Sequence, residues 1–296
     1  MAALEPRNHC IGRHEGKAGR SAGGLAATLL ALLAAGCATA PLDEAGSLAS
    51  YNDLKPSDGL LTRSLVAVSK DRVLAAKTIK IAPTAFSAPA VREPLTPAQR
   101  HLVVNAVDRA LCEGLSERFE VVGPSDSADL TVHAVVTHIA ATNAVAAAVS
   151  KGASVAVGVA LPGVPVPVPR IPVGLGSLSL EAEARDQDGA QQAAMIWGRW
   201  ANAVVDSGRV APEGDAYNLA SAFGADFSKL LVTGTTPFGK LPSLPSIDNL
   251  RTAIGGKPKY ATCEAFGPSP GVVGFLGQAI GVPPDWTDKG AAPPKE

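Results

Sequence analysis

Neither sign of charge is in excess in this chain: 26 Lys and Arg face 27 Asp and Glu, a formal net charge of -1. Without a basic surplus to neutralise phosphates, no nucleic-acid partner is expected. Cysteine is scarce, with four residues in 296, which excludes a dense disulfide scaffold and leaves room for one isolated bridge. What is abundant is apolar and small. Hydrophobic residues make up 46% of the chain, and 30 Gly with 24 Pro are too many for an all-helical bundle yet lack the strict period of a fibre. The length suits one good core or two small ones.

The N-terminal region carries the strongest signal. Arg13, His14, Lys17 and Arg20 precede an apolar run, Leu25 to Ala35. That run is too short for a hydrocarbon layer of roughly 30 Å and suits the apolar region of a secretory signal peptide. Leu33-Ala34-Ala35-Gly36-Cys37 follows it and resembles the bacterial lipobox. The resemblance implies cleavage between Gly36 and Cys37 and acylation of Cys37 with palmitate-like chains. Each buried CH₂ contributes about 0.8 kcal/mol, so several chains anchor firmly. Ala38, a non-acidic residue after the cysteine, resembles the outer-membrane class of lipoproteins. Cleavage would remove Arg7, Arg13, Lys17, Arg20, Glu5 and Glu15 and leave a weakly acidic body. The partner expected first is therefore a membrane, reached through lipid on Cys37.

Residues 37–60, small, polar and punctuated by Pro, read as a tether. Thr78 to Ala82 alternates and stops at Pro83, as a strand does. Thr96-Pro97 opens a helix, whose apolar stripe runs through Val103, Val107, Leu111, Leu115 and Phe119 and predicts an end near Arg118. Glu120 to Val122 and Asp129 to Ile139 predict two further strands. Leu178, Leu180, Ala182 and Ala184 alternate with Ser179, Glu181, Glu183 and Arg185, which places the second set in water. Asp188-Gly189 turns the chain into a partner strand expected over Met195 to Val205. Asp215 opens a last helix with Leu219, Phe223, Phe227, Leu230 and Leu231 on one stripe. The expected fold is α+β: a mostly antiparallel sheet with two helices packed on one face. The domain plan is signal peptide 1–36, tether 37–60, α+β domain 61–234 and a loop-rich Pro/Gly tail over 235–296.

Three stretches carry a family resemblance: Gly46 to Leu54 (GSLASYNDL), Ile79 to Phe86, and Gly176 to Asp186 (GSLSLEAEARD). They resemble the bacterial lipoproteins that carry a domain of unknown function after a lipobox, over about Gly46 to Leu231. The resemblance implies no established activity. The order of strands and helices is also similar to envelope lipoproteins that activate cell-wall synthases or form secretion channels, a likeness of fold alone.

No catalytic residues, metal ligands or cofactor are expected. His133 and His138 lie five apart on one expected strand and should project to opposite faces. Gly234 to Lys240 has the spacing of a phosphate loop, but Leu241 stands where Ser or Thr should reach magnesium, and the stretch follows a helix. Glu181 and Glu183 read as a wet surface and not as a glycosidase pair. No nucleophile elbow is expected. Trp197 and Trp200 should face opposite sides, with at least one in the core. The apolar stretch Ala144 to Gly176, whose only charges are Lys151 and Arg170, must pack over the sheet or meet an envelope protein or membrane. With Cys10 cleaved and Cys37 acylated, Cys112 and Cys263 remain, and either a bridge or a buried thiol at Cys112 fits the sequence. The function expected is a non-catalytic interaction or envelope-assembly component at the outer membrane, facing the periplasm. The alternative is a small envelope hydrolase with an unrecognised site.

Overall fold

The computed structural model describes residues 40–150, 174–203, 206, 208–239 and 255–290. Gly36, Cys37 and the signal peptide, most of the apolar stretch, and residues 240–254 and 291–296 of the tail lie outside the described residues.

An eight-stranded, mostly antiparallel sheet forms the centre of an α+β fold. Its strands are β1 (Lys55–Pro56), β2 (Thr62–Val68), β3 (Thr78–Ile81), β4 (Ala85–Phe86), β5 (Glu120–Val121), β6 (Leu130–Ala140), β7 (Ser177–Arg185) and β8 (Gln191–Trp200). The order is β1-β2-β8-β7-β6-β3-β5, with β4 also paired to β6. Pairings from β1 through β6 are antiparallel, whereas β3 and β4 run parallel to β6, and β5 runs parallel to β3. Pro83 ends β3 because it can donate no ladder hydrogen bond, and pairing with β6 resumes only at Ala85. The partner of β7 begins at Gln191 and ends at Trp200, earlier than the expected Met195 to Val205, because the Asp186 to Gly189 turn closes directly onto Ala190. Strand β2, which the sequence reading did not pick out, pairs with β8 along its whole length.

One sheet face carries Val132, Ala134, Val136, Leu180, Ala182, Met195 and Trp197, packed under helices α3 (Pro97–Leu115) and α4 (Gly214–Thr233). Two shorter helices, α1 (Lys70–Ala75) and α2 (Ala88–Val91), precede them. Thr96 starts α3 with a capping box shared with Gln99, which satisfies donors at both ends of the first turn. Glycine lets α3 and α4 approach closely: a Cβ on Gly224 would lie 2.4 Å from the Ala110 Cβ, and one on Gly114 would lie 2.6 Å from the Ser228 Cβ. Trp197, Phe223 and Phe227 meet in edge and stacked contacts at 5.7 and 6.0 Å. Trp200 is half-buried at the strand end.

The opposite face corrects the reading of β7 as half-solvated. Glu181 and Glu183 are buried. The chain from Ala40 to Leu54 lies across them and donates its backbone to their carboxylates: Ala45 N and Ser47 N to Glu181 at 2.7 and 3.1 Å, and Ala49 N to Glu183 at 2.8 Å. The Tyr51 hydroxyl donates to Glu181 at 2.8 Å, and Arg185, half-buried, pairs with Glu183. Leu48 packs with Ala194 and Ile196 beside Leu42 and Leu65. The polar alternation of β7 thus satisfies a backbone segment that has no strand ladder of its own.

A bulge between Val136 and His138 likewise corrects the expected divergence of the two histidines. His133 pairs with Glu183 and His138 with Ser179, so both lie on the face of Glu181. They stay about 15 Å apart along the strand.

Candidate functional site

Helix α3 carries His101, Asn105 and Asp108 at spacings of four and three, which places them on one helical face. That face borders a cleft of about 450 Å³. The walls are Ile81 at the end of β3 and Pro83 beyond it, Val121, Val122 and Pro124 around the end of β5, and Thr262, Glu264 and Phe266 of a 3₁₀ turn (Ala261–Phe266). The cleft lies beside the parallel pairing of β3 and β5, where the chain leaves both strands in one direction. Asp108, 3% exposed, sits at its base. The strand break at Pro83 leaves the Thr84 N–H off the ladder, and Asp108 accepts it at 3.1 and 3.2 Å together with the Thr84 hydroxyl at 2.5 Å. Burial pushes the Asp108 carboxyl up to about 7 against the pull of these hydrogen bonds. Asn105 and His101, which also line the cleft, share a hydrogen bond of 3.0 Å. The cleft therefore offers apolar walls, the buried carboxyl of Asp108, the carboxyl of Glu264 and an amide–imidazole pair. This chemistry suits binding an apolar group that carries one polar contact.

The wall formed by the 3₁₀ turn belongs to the C-terminal region, which is ordered over residues 255–290. Helical elements therefore stand within a stretch expected to be loop-rich. Helices α5 (Gly271–Ile280) and α6 (Pro284–Thr287) follow the turn. Three features hold the region to the body. The structure joins Cys112 of α3 to Cys263 of the 3₁₀ turn, with Cα atoms 5.8 Å apart. Arg109, the residue after Asp108, pairs with buried Asp288 and donates to the carbonyls of Phe266 and Pro268 at 3.4 Å. Tyr217 donates to the same Asp288 at 2.6 Å, and burial together with that carboxylate raises its phenol well above the usual value. Arg209 lies 5.2 Å from the Tyr217 ring and donates to the carbonyls of Gly274 and Val282. Burial lowers its pKa.

Cys112 and Cys263 are thus brought together. The stretch Ala144 to Gly176 is described only at its ends, where residues 144–150 are helical and Asn143 N donates to Gly174 O at 2.8 Å. Gly234 is the left-handed C-cap of α4, and Lys240 lies outside the described residues. The Gly-x-Ser-x-Gly spacing does occur, at Gly19 to Gly23, outside the described residues, and at Gly267 to Gly271. In the second, Pro270 stands where an elbow needs a backbone N–H, and a 3₁₀ turn replaces the strand. Among the described residues no group of three His, Cys, Asp or Glu is placed to hold a metal ion. The sequence reading missed the cleft because it followed the apolar stripe of α3. The signal lay beside that stripe, in His101, Asn105 and Asp108 at helical spacing.

No curated protein matches the chain. Among solved structures, a PelC dodecamer from Paraburkholderia phytofirmans is 11% identical, with 58% of this chain and 96% of that one covered at a TM-score of 0.31. A DUF4136 family protein from Bacteroides thetaiotaomicron is 10% identical, with 60% and 100% covered at a TM-score of 0.30. The family model DUF3313, described as a protein of unknown function, matches residues 43–227, more than half of the chain. The chain therefore belongs to the DUF3313 family.

Proposed function

We propose that this DUF3313 protein is a lipid-anchored component of the bacterial envelope. It would be held through acyl chains on Cys37, at the outer membrane and facing the periplasm, and act in interaction or assembly and not in catalysis. The observation that carries the reading is the order of a basic flank, a short apolar run and Leu33 to Cys37. The Cys112–Cys263 pair supports it, since such bridges persist in oxidising compartments. The cleft beside Asp108 is the surface offered to a partner. The Thr84 hydroxyl, the oxygen nearest that carboxyl, is buried and donates to it, so it supports anchoring the strand break better than attack on a substrate.

Photocrosslinking in intact cells from position 264 or 265 at the cleft rim tests the role. The expected result is one envelope component captured from these positions and lost from a position on the far side of α4. No captured component, together with turnover of an envelope substrate by the purified protein, would contradict the proposal and favour a hydrolase.

A further inference from the structure

Helix α5 is built inside out. Gly271, Gly274 and Gly277 are its buried positions, and a Cβ on Gly277 would lie 2.6 Å from the Thr287 side chain. The bulky residues Val272, Val273, Phe275, Leu276 and Ile280 are exposed, with Phe275 71% exposed, and Trp286 of the following α6 is 67% exposed. No charged residue occurs in Gly271–Ile280. A helix whose glycine face packs on Pro270, Val282 and Thr287 and whose large apolar side chains are exposed needs something to cover them.

The topology says where this helix lies. The covering segment runs along β7 in one direction: Pro41 O accepts from Ser179, Ala45 and Ser47 bind Glu181, Ala49 binds Glu183, and Ser50 N donates to Gln191. Ala40 is therefore at the sheet end where β6 stops, β7 starts and β8 stops. A continuous set of hydrogen bonds ties that same end to α5. Ala201 N donates to Gly176 O, Gly176 N to Asp215, Thr142 N to Pro212 O, and Val210 N to Gly281 O at 2.8 Å. The exposed Val145 and Val149 stand on the helical stretch that follows Thr142 and Asn143. The other end of the sheet, at the Asp186 to Gly189 turn, is about 30 Å away along β7.

We infer that this end of the sheet is the membrane-docking surface, with the outer face of α5 and Trp286 inserted into the leaflet that holds Cys37. The inference rests on the proposed acylation of Cys37. Its support is the short chain before the body. Ala40 is already fixed to the sheet, and Cys37 precedes it by three residues, a length that cannot exceed about 11 Å. An acylated Cys37 allows no long tether, so the body rests on the bilayer by this end, within reach of a helix lying about 5–10 Å deep in the headgroup region. An uncharged apolar helix flanked by tryptophan matches that layer. Among the described residues no helix is long and apolar enough to cross the membrane, so the contact is made in the plane of the interface.

The test uses the purified mature protein in vesicles of phosphatidylethanolamine and phosphatidylglycerol with brominated acyl chains, which quench tryptophan on contact. Trp197 is buried and Trp200 is half-buried at the same end of the sheet, so the reporter is the part of the quenching that Trp286→Phe removes. The expected result is a loss of emission on contact with the brominated chains, carried mainly by Trp286. The loss should shrink to what half-buried Trp200 contributes in Trp286→Phe and in the pair Phe275→Asp, Leu276→Asp, while both variants still float with the vesicles. Exposed substitutions of this kind leave the fold intact, which thermal unfolding checks. Flotation of the wild type with unquenched Trp286 overturns the docking surface and leaves the lipid anchor standing. So does a dimer in sedimentation that the aspartate pair dissolves, because a second copy would then cover α5. A mature chain whose mass shows no acyl group refutes the anchor and the docking surface together.

Discussion

Removing the Cys112–Cys263 bridge tests whether residues 255–290 are part of the folding unit. The bridge closes a loop with a sequence separation of 151 residues. On the chain-entropy view, a loop of that size restricts the unfolded ensemble by about 5 kcal/mol, at the upper end of what a single bridge contributes. A domain of ordinary stability has about 5–15 kcal/mol in all, so the loss is a large fraction. The native contacts of Arg109, Tyr217 and Asp288 do not depend on the sulfur atoms, so the effect should fall mainly on the unfolded state. The assay is guanidinium unfolding of the wild type, oxidised and reduced, beside the double variant Cys112→Ala, Cys263→Ala. The reduced wild type and the variant should unfold at the same lower midpoint, with near-native circular dichroism before the transition. Two free thiols in unfolded, non-reduced mature protein, or a stability loss below about 1 kcal/mol, would refute the reasoning.

Three further outcomes follow from buried polar groups. Folded Asp108 keeps a proton to about pH 7, which the unfolded chain releases near 3.8, so its contribution to stability falls as pH rises through that window, by about 4 kcal/mol. The stability difference between wild type and Asp108→Asn, measured from pH 4 to 8, should change by that amount, and a pH-independent difference would contradict it. Arg109→Ala leaves Asp288 buried without its cation and should cost about 3–5 kcal/mol, with limited proteolysis opening residues 255–290 first. Glu181→Ala removes the acceptor for Ala45, Ser47 and Tyr51 and should cost at least about 3 kcal/mol, while hydrogen exchange at residues 45–51 rises to loop-like rates.

Apolar periodicity carried much of the fold. The stripe of α3, the stop at Pro83, the turn before Ala190 and the stripe of α4 could be placed from the residues alone, since each reflects local backbone rules. What stayed hidden depended on a partner far along the chain. Ser179, Glu181 and Glu183 look like a wetted strand face until Pro41 to Ala49 is laid over them, and polar alternation reads the same whether its partner is water or backbone N–H. The His133 and His138 reading failed at the bulge, which adds one residue to a period of two. Residues 255–290 looked loop-rich because their glycines serve close packing in α5, and contacts with Cys112, Arg109 and Arg209 hold them. The cleft was hidden in the same way: His101, Asn105 and Asp108 share a helical face, but its opposite wall arrives from residues 262–266.

The central claim is the lipid anchor, and the intact mass of mature protein extracted from membranes tests it most directly. The account predicts a chain that begins at Cys37 and carries acyl chains on that residue, with Cys37→Ala giving protein that no longer carries them. A mature chain that retains Leu25 to Ala35, or one that begins at Cys37 without lipid, would contradict it.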